Sequence, residues 1–301
     1  MNKANRWSVV CVVLCIVMIG PAVQAGDSTP AYKEAAPIGV SPATKARSVS
    51  NFCVGHDGDL WVCDKGGQCV KIITTTDELR SEVRLPFAPE AVCRSNSGTM
   101  LVVGSGQMAR VTASGRIEKQ VAARDLGADG TEFTSITADG GDVFFTCRGN
   151  TGYDVYRTDG RLGAAAKIIT GLRGCCGQMD ITARDGAVFV AENARKRVTK
   201  YDRNGKALFS WGSNATSGLD GFGSCCNPMN ICFDKDGNLC TSEARLGRVK
   251  RYTPDGKLLG LVGTVQSNPG CVRVQVEHSK DGSKVFVLDT VGNRIQVLEK
   301  L

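Results

Sequence analysis

Short apolar runs alternate with polar turns at regular intervals along the chain. The same signal, a polar turn ending in glycine followed by an apolar strand, occurs at Gly58, Gly98, Gly140, Gly186, Gly237 and Gly282. Glycine readily adopts the positive φ that tight hairpin turns need. Successive glycines are 40, 42, 46, 51 and 45 residues apart. These spacings predict six copies of one structural unit.

A second turn follows the first in four of the six units, at Gly115, Gly160, Gly205 and Gly256. Each unit is therefore expected to form four short antiparallel strands, and no stretch has the period of an amphipathic helix. Four-stranded units of this length are typical of β-propeller blades. The sequence thus predicts an all-β, six-bladed β-propeller over residues 38–301. The last unit has room for only three strands, so we expect a strand within residues 38–48 to close the ring.

The last three units share a finer pattern, in which an apolar strand ends at Glu192, Glu243 or Asp289 and an arginine-containing strand follows. This pattern resembles the NHL-repeat family of six-bladed β-propellers, in particular exported bacterial members with paired cysteines. The resemblance implies that each carboxylate caps a loop or pairs with the arginine of its own blade. It implies little about activity, because the family includes binding modules and a few enzymes.

Residues 1–25 have the pattern of a secretory signal peptide. Lys3 and Arg6 precede an apolar run at residues 8–20, and small residues then mark a cleavage site. The sequence therefore predicts export to a periplasm or to the outside, with no membrane anchor after cleavage. Residues 26–37 are polar and contain two prolines, so we expect a flexible segment there.

The charge pattern and the histidine content exclude some classes of function. The chain has 37 Lys and Arg residues against 30 Asp and Glu residues, mixed along its length without a basic run. We therefore expect a monomer that binds no nucleic acid. His56 and His278 are the two histidines, and both are expected to be solvent-facing turn residues. A propeller lyase or hydrolase with a histidine-bound metal needs more converging ligands, so an enzyme of that kind is not favoured.

Cysteine is the most informative residue type, because 12 of the 14 follow the predicted signal peptide. Two adjacent pairs are 50 residues apart, and each is followed by a methionine. In a propeller, the loops that precede the innermost strands, here called rim loops, lie on one face. The rim loops of the last three units are predicted to bring together Cys175, Cys176, Cys225, Cys226 and Cys271, with Met179 and Met229 just inside. Three further thiols share one position on the inner strands and are interpreted as small packing residues: Cys53, Cys93 and Cys232.

Three interpretations of the rim thiols remain open. Exported cysteines commonly form disulfides. Thiolates and thioethers also bind copper, zinc or an iron–sulfur cluster, and adjacent thiols can cycle between reduced and oxidised states. The first hypothesis is therefore a metal or cluster site used in electron transfer or metal handling, with a protein partner on the rim. The alternative is a non-catalytic scaffold that binds a protein or a carbohydrate, with its cysteines in disulfides.

Overall fold

The chain folds almost entirely into short antiparallel strands. The computed structural model describes residues 29–266 and 270–301, and the predicted signal peptide lies outside these residues. The described chain contains 24 strands and two single-turn 3-10 helices, Ala123–Leu126 and Asn193–Arg195. No helix in this part of the chain is long and apolar enough to cross a membrane. The all-β prediction is confirmed.

The strands form six four-stranded antiparallel sheets, which are the six blades. The first strand is β1 (Tyr32–Ile38), which belongs to the sixth blade. The first and second blades contain β2 (Val49–Val54), β3 (Leu60–Asp64), β4 (Cys69–Ile73) and β5 (Leu79–Arg84), and then β6 (Ala91–Arg94), β7 (Met100–Gly104), β8 (Gln107–Val111) and β9 (Ile117–Ala122). The third and fourth contain β10 (Phe133–Asp139), β11 (Asp142–Arg148), β12 (Tyr153–Asp159) and β13 (Ala166–Leu172), and then β14 (Asp180–Arg184), β15 (Ala187–Glu192), β16 (Arg197–Asp202) and β17 (Ala207–Trp211). The fifth and sixth contain β18 (Asn230–Phe233), β19 (Leu239–Ser242), β20 (Arg248–Tyr252) and β21 (Leu258–Thr264), and then β22 (Val276–His278), β23 (Lys284–Asp289) and β24 (Arg294–Lys300).

The six blades form a ring around a central axis. The inner strands β2, β6, β10, β14, β18 and β22 contact one another in this order, and β22 contacts β2. An apolar cluster fills the space between each pair of neighbouring blades. In the cluster between the second and third blades, for example, Phe145 stacks on Tyr156 of the same blade with ring centroids 5.3 Å apart. The hydrophobic core is therefore divided into six interfaces rather than gathered at the centre.

Polar side chains connect neighbouring inner strands across the axis-facing ends of these interfaces. Each oxygen accepts the backbone N–H of a residue on the next blade, over 2.8–3.1 Å. The N–H groups of Val92, Ile231, Val276 and Phe52 donate to the side-chain oxygens of Asn51, Asp180, Asn230 and Gln275, respectively. Because unpaired buried N–H groups are costly, these contacts fix the register of the inner strands around the ring.

The sixth blade contains strands from both ends of the described chain. β1 pairs antiparallel with β24, with Ala35 opposite Val297. The strand begins at Tyr32, earlier than the predicted 38–48, so the predicted flexible segment 26–37 is wrong for residues 32–37. The sequence signal was weak because this outer strand is mostly exposed and contains a proline, which only edge strands tolerate.

The repeated carboxylates have the structural role that the resemblance implied. Ion pairs within single blades join Glu192 to Arg197 over 2.9 Å, Glu243 to Arg248 over 2.6 Å and Asp289 to Arg294 over 3.0 Å. The equivalent Asp64 caps a loop by accepting the N–H groups of Arg47 and Ser48. These contacts hold together strands and loops of the same blade.

The two histidines lie in different surroundings. His56 is half-buried, and its Nε2 lies 3.3 Å from the carbonyl oxygen of Thr99. His278 is buried on β22, so the expectation that it faces solvent is wrong. Burial lowers the pKa of His278 to about 4, because the interior disfavours the charged imidazole.

Candidate metal centre

The rim loop of the fourth blade is held by a buried asparagine. The Cys175 N–H donates to Asn193 Oδ1 over 2.7 Å, while Asn193 Nδ2 donates to the carbonyl oxygens of Cys175 and Gln178. Between these residues the backbone turns tightly, with φ at +54° for Cys176 and +69° for Gly177. The first cysteine pair is therefore fixed in position by three hydrogen bonds to one side chain.

The rim loop of the fifth blade uses the same backbone conformation at its second cysteine. Cys226 has φ at +63°, and Asn227 Oδ1 accepts the N–H of Ala244 over 2.8 Å. Asn227 Nδ2 in turn donates to the Ala244 carbonyl oxygen. A left-handed conformation costs a non-glycine residue about 1–2 kcal/mol. Both loops carry this cost at the same position, and in both it turns the second thiol towards the other loop.

The four paired thiols converge on one point. The Sγ atom of Cys226 lies 2.7 Å from those of Cys175 and Cys176 and 3.1 Å from that of Cys225. All four sulfur atoms lie within 4.8 Å of one another. The distances exceed the length of a disulfide bond, about 2.05 Å, and the cysteines in the described chain are free thiols. The prediction that the two loops bring their thiols together is confirmed.

These distances are compatible with a single bound ion. Four thiolates bound tetrahedrally at about 2.3 Å from zinc lie about 3.8 Å apart, within the range of the separations observed here. The four sulfurs are therefore close enough together to hold a metal ion.

The fifth predicted thiol and one of the two methionines complete the group. Cys271 packs with Cys175 and Cys226 beside Met229. Met179 instead packs in the apolar cluster between the third and fourth blades. The structure thus brings together five thiols and Met229, and it places Met179 in a different environment because that side chain faces the neighbouring blade.

The thiols differ in acidity. Hydrogen bonds with Cys226 and Cys271, together with the ammonium group of Lys196, lower the pKa of Cys225. Burial, reinforced by its thiol neighbours, raises the pKa of Cys226. The thiolate is the form that binds metal, so the lowered pKa favours the ligand form of Cys225 and the raised pKa disfavours that of Cys226.

The thiols of the outer strands are buried within the blades. Burial raises the pKa to about 11 for Cys69 and to about 12 for Cys147, and it also raises the pKa of Cys63 and Cys240. These four residues lie in the hydrophobic interior as packing residues. They are not part of the rim group.

The structure also shows an axial cavity of about 230 Å³ that the sequence analysis missed. Its lining includes the three inner-strand thiols and a carboxylate: Cys53, Cys93, Cys232 and Glu277. Glu277 lies five residues before Gly282, the same spacing that separates each of the three thiols from its own hairpin glycine. That repeat position was the signal that could have found the residue.

Comparisons with known proteins identify the architecture. No protein-family model matches the chain, and no curated protein matches it either. Solved structures do match. A streptogramin B lyase is 14% identical, with 90% of this chain and 98% of that chain covered and a TM-score of 0.64. The chain is a six-bladed β-propeller.

Two further solved structures match nearly the whole propeller. A gluconolactonase from Xanthomonas campestris is 15% identical, with 92% of this chain and 98% of that chain covered and a TM-score of 0.63. Kuenenia stuttgartiensis hydrazine synthase is 13% identical, with coverage of 85% and 96% and a TM-score of 0.59. Identities this low establish the shared fold alone, since one fold supports many activities.

The rim thiols are the one place in the described propeller where three or more potential metal-binding side chains converge. His56 lies at the turn after β2 and His278 on β22, and neither belongs to that group. The chemistry that this arrangement can perform is therefore sulfur chemistry, either metal binding or thiol–disulfide exchange.

Proposed function

We propose that this chain is an exported, NHL-type propeller that binds one thiophilic metal ion, with Cys175, Cys176, Cys225 and Cys226 as ligands. The observation that supports this most directly is the set of four sulfur atoms within 4.8 Å of one another. They come from two loops that share a backbone conformation disfavoured for non-glycine residues. Copper(I) and zinc both favour thiolate ligands.

Exposure favours metal handling over a purely structural ion. Cys176 and Cys225 are exposed, whereas Cys226 is buried. A partner protein with its own thiolate or thioether ligands can reach the exposed pair and replace those ligands one at a time. Cys271 lies beside the group and is available as a replacement ligand inside the site. The proposed role is thus to receive a soft metal ion and pass it on.

Metal titration of reduced protein tests this proposal. The wild type, titrated anaerobically with copper(I), zinc or cobalt(II), is expected to bind one equivalent, with thiolate-to-cobalt charge-transfer absorption. The double variant C175S/C225S should lose this binding. The matched control C69S removes a thiol outside the rim group and should retain it. Absence of binding by reduced wild type, or full binding by the double variant, would contradict the proposal.

A disulfide-linked binding scaffold is the second candidate, and one observation favours it. Cys226 Sγ is equally close to the sulfurs of Cys175 and Cys176, so oxidation would join the two rim loops by either pair. Mass spectrometry after thiol alkylation of protein taken from its native compartment decides between the two. A Cys226-containing disulfide and no metal would favour the scaffold, and alkylated rim thiols with bound metal would favour the ion.

A further inference from the structure

The axial cavity is a compartment separate from the rim thiols. It is lined by residues of all six inner strands and reaches Arg94 and Arg184, the last residues of β6 and β14. At the other end Arg273 reaches across the axis, donating Nη2 to the Thr134 carbonyl oxygen over 2.7 Å and Nη1 to that of Glu90 over 3.4 Å. The cavity therefore opens on the face opposite the rim loops.

The charges in the cavity are arranged along the axis. Asp180 begins β14 and Glu277 is the middle residue of β22, while Arg94 and Arg184 end their strands. The inner strands run in the same direction around the ring, so the two carboxyl groups lie deeper than the two guanidinium groups. A ligand that enters from the open face meets positive charge first and negative charge inside.

Two of these charged groups have no fixed partner in the described chain. The carboxyl group of Glu277 makes no hydrogen bond or ion pair in the part of the chain that the structure describes, and the charges that act on it are those of Arg94 and Asp180. Arg94 is exposed at the mouth, and its guanidinium group makes no hydrogen bond or ion pair with a described residue. Burial raises the pKa of Glu277 to about 7 and that of Asp180 to about 6. A half-buried carboxylate without a hydrogen-bond partner carries a desolvation cost, and a bound cationic group would relieve that cost.

We propose that the axial cavity binds a small zwitterion of the free amino acid class, with its ammonium group at Glu277 and its carboxylate at Arg94. Asp180 adds negative charge at the closed end, and Arg184 adds positive charge at the mouth. A water molecule takes up about 30 Å³ of liquid, so the cavity has room for a ligand of several non-hydrogen atoms. This site lies beyond the proposed metal centre and does not depend on it.

Binding of simple zwitterions to the full mature chain tests the proposal. Glycine, β-alanine and γ-aminobutyrate are titrated by calorimetry, with saturation-transfer NMR for weak binding, and ethylamine and propionate serve as single-charge probes. At least one zwitterion is expected to bind about tenfold or more tightly than either single-charge probe. E277Q and R94Q should each weaken that binding by about tenfold, because each removes one of the two charge contacts.

Matched variants distinguish binding in the cavity from charge effects elsewhere on the propeller. E299Q removes a surface carboxylate that pairs with Lys284 and should leave zwitterion binding unchanged. C175S/C225S should also leave it unchanged, so failure of the metal proposal and failure of this one are distinguishable. Thermal melts verify that each variant is folded, and the exposed Arg94 offers a second test if E277Q does not fold. The proposal is refuted if ethylamine binds as tightly as the best zwitterion, if R94Q has no effect, or if none of the three zwitterions binds at millimolar concentration.

Discussion

Glu277 should make the propeller less stable as the pH rises, and glutamine at this position should remove that loss. The pKa of Glu277 is raised from its usual 4.5 to about 7, a shift of about 2.5 pKa units. Each unit corresponds to about 1.36 kcal/mol of differential stability between the two protonation states. Between these two values the folded state binds more protons than the unfolded state, so the free energy of unfolding falls with pH. The loss of stability begins near pH 4.5 and is complete above about pH 7. There the free energy of unfolding is lower by about 3 kcal/mol.

Urea unfolding of wild type and E277Q over a range of pH measures this difference directly. The two proteins should be equally stable near pH 4 and differ by about 3 kcal/mol near pH 8, with E277Q the more stable. For a domain of this size that corresponds to about 6–12 °C in melting temperature. E299Q, which changes a surface carboxylate, should show no such trend. A difference that stays constant with pH, or that favours the wild type at high pH, would refute the reasoning.

Three further predictions concern the blades and the rim. Lys250 is fully buried, with its ammonium group 2.5 Å from the Glu243 carboxylate. E243Q removes this counter-charge and should lower the free energy of unfolding in urea by about 3–5 kcal/mol. A decrease below about 1 kcal/mol would mean that the pair is not buried in solution. G205A places a Cβ against the carbonyl oxygen of Ile168 at a φ of +88°, whereas the Cβ of G140A meets open space at a φ of +59°. Backbone strain alone should lower the stability of G140A by about 1–2 kcal/mol. Thermal melts should show a much larger loss of stability for G205A. Removing the metal with a chelator should lower the melting temperature of reduced protein, because a bound ion stabilises the folded state. Acidifying the solution should lower it too, because protons displace the metal from its thiolate ligands. An unchanged melting temperature would argue against a bound ion.

The ring and its rim could be predicted because both depend on regular spacing. The hairpin turns need glycine at a positive φ, so the six glycines from Gly58 to Gly282 mark the six blades. Once the blades are counted, the loops before the inner strands must lie on one face. The convergence of Cys175 and Cys226 follows from that topology.

Other features depend on three-dimensional detail that spacing does not contain. The sulfur separations follow from the left-handed backbone at Cys176 and Cys226 and from the hydrogen bonds of Asn193, none of which has a sequence signature. The closing strand was predicted within residues 38–48 rather than at Tyr32–Ile38, because the exposed side chains of β1 lack alternation. Met179 was expected near the thiols because it precedes an inner strand, but its side chain packs against the neighbouring blade.

The pairing of β1 with β24 has a consequence for how the protein is made. The two strands lie at opposite ends of the described chain, so β1 waits for its partner until nearly the whole propeller has been synthesised. Until then its backbone groups and the edge that it will cover are available to other chains, the situation in which edge-to-edge aggregation begins. A truncated product that lacks β1 would expose the same edge of β24 permanently. We therefore expect such a fragment to require a chaperone or to aggregate, even though every other strand is present.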